Sequence, residues 1–146
     1  MIRLLCASVI LLPCTVTDIR SRTIPVLFVA IVSFIGGITE LLFAFSGLLE
    51  ILSGLIPGAL LFLLSFHKKA GIGMGDGILI MGTGVFCGFG RTVSLLLFGC
   101  LFAGITGGAL AVFRKSSLKL SLPFAPFLMA GWILEMVSEV INHAVS

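Results

Sequence analysis

Six apolar runs, each broken from the next by a short charged or glycine-rich stretch, constrain this chain more than any other feature. They cover about 4–16, 24–45, 48–66, 78–89, 92–113 and 122–141. None alternates with period 2, so a β-barrel is excluded in favour of helices. Only 10% of the 146 residues are charged and 59% are hydrophobic, too few charges to cover a water-soluble domain. The reading is therefore an all-α integral membrane protein of about six transmembrane helices, one domain over 1–146, with no internal repeat or linker. The first and fourth runs are short for a span, which suits local bilayer thinning or a wet cavity. Gly54-x-x-x-Gly58, Gly84-x-x-x-Gly88 and Gly104-x-x-x-Gly108 fit close helix packing.

The few charges carry the orientation. Arg20, Arg22, Lys68, Lys69, Arg114, Lys115 and Lys119 follow runs 1, 3 and 5; only Arg3 and Arg91 fall on the other side. Seven of nine basic residues on one side predict an N-out, C-out topology. Topology itself is the plain explanation of these residues, with contact to anionic lipid or a partner as the other. The first run has no A-x-A-like site after Val16 and carries its positive charge mainly on the wrong flank, so a cleaved signal peptide is not expected. Cys6, Cys14, Cys87 and Cys100 form no C-x-x-C and are expected as small buried apolar residues, with no metal or redox site.

Glu40, Glu50, Glu135 and Glu139 fall toward the outer side, whereas the only two aspartates, Asp18 and Asp76, fall at cytoplasmic helix ends. Helix packing at one depth would bring this pair together. Close carboxylates cannot both ionise cheaply, so one holds a proton near neutral pH. The ionised acid then takes a proton from water and the protonated one donates to a peptide carbonyl, which is aspartic-protease chemistry without metal or cofactor. Each acid also has a plainer reading: Asp18 as a juxtamembrane charge paired with Arg20 or Arg22, and Asp76 as the N-cap of the fourth helix. Gly71, Gly73, Gly75 and Gly77 alternate around Asp76 and allow close backbone approach, as an extended substrate would need. Their spacing is not G-x-G-x-x-G, no strand precedes it and no G-K-[ST] follows, so a nucleotide site is rejected.

Asp18-Ile19-Arg20-Ser21-Arg22-Thr23-Ile24-Pro25 resembles the D-x-R-x-x-x-I-P segment of type IV prepilin peptidases. Gly73-Met74-Gly75-Asp76 resembles their G-x-G-D motif, and Leu122-Pro123-Phe124-Ala125-Pro126-Phe127-Leu128 their [IL]-P-F-[AG]-P-[FA]-L stretch. The resemblance runs in order from 18 to 128. It implies a membrane aspartic endopeptidase of the bacterial cytoplasmic membrane, with Asp18 and Asp76 catalytic and Gly73 and Gly75 near the substrate backbone. Its implied partner is a prepilin or Flp-type precursor, cut at the cytoplasmic face just before a hydrophobic helix; no nucleic acid is implied. Ile78 stands where the family usually has Lys. The short connection after run 1 lacks the cysteine pairs of bifunctional relatives, which argues against N-methylation. Two other classes compete: a membrane scaffold of a secretion apparatus that has lost activity, favoured by Ile78, and an ion-coupled transporter. Acids at one face and the lack of an inverted repeat count against the transporter.

Overall fold

The computed structural model describes residues 2–43, 47–67, 73–113 and 123–145. Lys68, Lys69, Gly71, Arg114, Lys115, Lys119 and Leu122 lie outside the described residues. The described chain is helical throughout: α1 Ile2–Ser21, α2 Val26–Phe43, α3 Leu48–Ser65, α4 Met74–Phe113 and α5 Ala125–Val145.

Six expected helices appear as five elements because the fourth and fifth runs join without a loop. A straight helix of 40 residues would be about 60 Å long, twice the thickness of a bilayer core. Gly88 breaks it. At φ 72° and ψ 176° it holds a backbone conformation open essentially to glycine alone. The element therefore consists of a first arm, 74–87, and a second arm, 89–113. The expected break at Gly90-Arg91 is instead helical.

The first run also extends further than its apolar residues suggest. α1 continues through Asp18 to Ser21, making 20 residues rather than a short span. Thr17 Oγ1 bonds back to the carbonyls of Pro13 and Cys14, both at 3.0 Å, and the helix stops only where Arg22 takes φ 51°.

α4 packs on every other helix, and α1 packs on α5 as well. Gly54 of α3 and Gly84 of the first arm meet backbone to backbone, and a Cβ on Gly54 would also lie 3.1 Å from the Gly88 Cα. Two of the three G-x-x-x-G motifs are thus used as expected. The third is not: Gly104 and Gly108 have nothing within 4 Å of a built Cβ. The second arm packs on α5, where Leu128 would meet a side chain on Gly99. α1 and α5 are tied by Trp132 Nε1–H donating to Ser8 Oγ at 2.9 Å.

The core is apolar, centred on Ile10, Leu11, Leu79, Ile80, Leu95, Leu128 and Trp132, all fully buried. The outside is apolar too, with Leu12, Phe34, Leu49, Leu101 and Ile133 exposed. Leu48–Ser65 and Met74–Leu110 are long and apolar enough to cross a membrane.

Candidate active site

The three motif segments, far apart in sequence, meet at one end of the bundle. Asp18 sits in the last turn of α1 and is buried, 6% exposed. After Arg22 the chain turns through Thr23 and Ile24 into Pro25, whose carbonyl accepts from Val29 N–H as α2 begins. That tight turn presses Ile24 onto the G-x-G-D segment: a Cβ on Gly75 would lie 3.0 Å from the Ile24 Cβ. Gly75 is therefore a close-approach position, but its near neighbour is the chain's own Ile24.

Asp76 lies in the first turn of α4 and is half-buried. Its N–H donates to the Gly73 carbonyl at 3.1 Å, so Gly73 opens the helix and Asp76 stands three residues in. This corrects the N-cap reading: the acid is within the turn, where the helix dipole favours negative charge. Gly73 itself lies close to the carboxylate, a built Cβ falling 3.0 Å from Asp76 Oδ2. Asp18 and Asp76 stand on α1 and α4, two helices packed on each other.

The third segment supplies a partner that residue types alone did not reveal. Ala125 N–H donates to Asp18 Oδ2 at 2.9 Å, at the first residue of α5. Thr15 Oγ1 donates to the Ala125 carbonyl at 3.4 Å, one turn earlier on α1. The N-terminus of α5 thus points a free amide and the positive end of its dipole at the buried carboxylate. Pro126 is the only sequence sign of this, since proline suits the first turn of a helix. A main-chain donor leaves no side chain to find.

The glutamates gather elsewhere. A Cβ on Gly88 would lie 3.3 Å from the Glu50 Cγ, Arg91 pairs with Glu139 at 3.2 Å, and Glu135 and Glu40 lie near enough to Arg91 and Cys87 respectively for their charges to act on them. They surround the kink, about 18 Å along the first arm from Asp76. The acids therefore divide by end as expected. Among the described residues, no group of three or more His, Cys, Asp or Glu is arranged to hold a metal ion.

Ile78, two residues past Asp76, is partly buried against the core and faces the gap between α2 and α3. Residues i and i+2 of a helix do not share a face, so this side chain is turned from the carboxylate.

A family model described as the type IV leader peptidase family matches residues 5–108. The chain belongs to that family. The match covers both aspartates and ends before Ala125, so the α5 amide is a feature of the folded chain beyond the matched residues. No curated protein and no solved structure matches the chain. Membership makes the chain a peptidase by family, with a protein substrate.

Proposed function

We propose that this leader peptidase is an aspartic endopeptidase that removes the leader from type IV pilin-like precursors at the cytoplasmic face of a bacterial membrane. In this reading the whole chain, 1–146, is one multi-pass domain in the cytoplasmic membrane, with both termini outside. The apolar outer surface and the asymmetric basic residues support it. What supports the catalytic part is that Asp18, in the last turn of α1, and Asp76, in the first turn of α4, stand at one bundle end, where Ile24 of the α1–α2 turn packs on Gly75.

A water between the two carboxyl groups attacks the scissile carbonyl carbon. One carboxylate takes the water proton as the C–O bond forms, and the other carboxyl donates to the carbonyl oxygen. The tetrahedral intermediate collapses with proton transfer to the leaving amine, and the C–N bond breaks. The acids titrate as a pair, so base and acid are properties of the pair. Ile78 faces away from these groups and does not weaken the reading.

The test is co-expression with candidate prepilins. The wild type should remove the leader. Asp18→Asn and Asp76→Asn should each lower the rate by about 10²-fold or more. Wild-type cleavage by either variant would overturn the pair.

A further inference from the structure

Helix α1 grips one residue of α5 at two points. Ala125 N–H donates to Asp18 Oδ2 at 2.9 Å, and Thr15 Oγ1 donates to the Ala125 carbonyl at 3.4 Å. Thr15 and Asp18 stand three residues apart, so they share a face of α1. Ala125 is fully buried and Asp18 nearly so, which keeps water from taking the place of the amide. Ser8 and Trp132 bond at 2.9 Å seven residues further along each helix, in the same antiparallel register, and hold the two helices against sliding.

The first turn of α5 leaves this one amide over. The Phe124 carbonyl accepts from Phe127 N–H at 3.0 Å and from Leu128 N–H at 3.2 Å. Pro126 has no N–H to give. Of Ala125, Pro126 and Phe127, the first residues of α5, only Ala125 therefore keeps a donor for a neighbouring helix, and that donor meets Asp18.

We propose that Thr15 and the main chain of Ala125 are positioning groups for the reaction: they fix the Asp18 carboxyl so that Oδ2 faces α5 and Oδ1 is offered to the attacking water. The inference rests on the peptidase function proposed above. The last torsion of an aspartate side chain is broad, so an unheld carboxyl turns easily and its two oxygens exchange places. A water held by such a group has no set line of attack, and misplacement of this kind is costly in rate. The amide takes Oδ2 out of that exchange, and Thr15 holds Ala125 in place from its carbonyl side. Asp76 is supported differently, in the first turn of α4 beside Gly73 of its own segment. The pair thus joins one acid anchored across the bundle to one carried on its own turn.

The experiment measures kcat, KM and the unfolding midpoint of purified protein in lipid, with a type IV pilin-like precursor as substrate. Thr15→Val keeps the shape and removes the hydroxyl. It should lower kcat about fivefold with KM unchanged, and Thr15→Ser, which keeps the hydroxyl, should return most of the loss. Ala125→Pro deletes the amide where the first turn of a helix tolerates proline. It should lower kcat about 10²-fold, and Ala125→Gly, which keeps the amide, should return most of that rate. Where the proline variant fails to fold, the two Thr15 variants carry the test. Ser8→Ala breaks the same helix pair two turns away, and should lower the midpoint without lowering kcat. Wild-type kcat in Thr15→Val, equal losses in Thr15→Val and Thr15→Ser, or an equal loss in Ser8→Ala overturns the clasp while the peptidase reading stands. No cleavage by the wild type, or wild-type cleavage by Asp18→Asn, overturns both.

Discussion

At Gly75 the active end has no room for a side chain. Ile24 arrives from the α1–α2 turn and sits where a Cβ would project, its own Cβ 3.0 Å and Cδ1 3.1 Å away. Gly75→Val should push Ile24 aside, cost about 1–3 kcal/mol in overpacking and slow leader removal, read by thermal unfolding in detergent and by cleavage rate. Adding Ile24→Ala should restore part of both, since contacting residues couple. Gly75 was legible in the sequence as a position of close approach. What approaches it was not, because the contact spans more than fifty positions of chain and shows no local pattern. Asp18 and Asp76 were legible for a different reason. Acids are so scarce in this chain that two aspartates at helix ends stand out, whereas an amide on Ala125 carries no such mark.

At the scale of elements, apolar periodicity located the helices but misplaced one boundary. Charge puts Asp18 at the close of α1, and threonine back-bonding and the amide from α5 hold that acid in the helix's last turn. Glycine and arginine suggested a break at 90–91, yet the bend is at Gly88, where only the backbone angle reveals it. Which glycine of several takes a positive φ depends on tertiary packing, here against Gly54 and Glu50. Gly88→Ala should therefore cost about 1–3 kcal/mol, because any Cβ disfavours that conformation. Gly90→Ala, with nothing within 4 Å of its Cβ, should cost far less. Comparing the two unfolding midpoints in detergent checks this.

Across the whole molecule, the acids are sorted by end: an aspartate pair at one, glutamates with Arg91 around the kink at the other. The proposed reaction needs one proton shared by the aspartates. Below both apparent pKa values of the pair the base is protonated, and above both the acid is ionised, so activity falls on either side. Leader removal measured against pH in lipid should give a bell. A profile flat across the acidic and neutral range would remove the shared-proton mechanism. Composition and charge order foretold this division, since both are properties of the chain read end to end. The clasp of α1 on Ala125 was not foretold, because it joins residues more than a hundred positions apart through main-chain groups.

The hydrogen bond from Ala125 to Asp18 has a genetic consequence. Its donor belongs to the main chain, so replacing the side chain at 125 changes volume and leaves the donor in place. Proline alone deletes it. A library of substitutions at this buried position would therefore sort by size, and a tolerance map would record a packing site while the polar contact beneath it went unregistered.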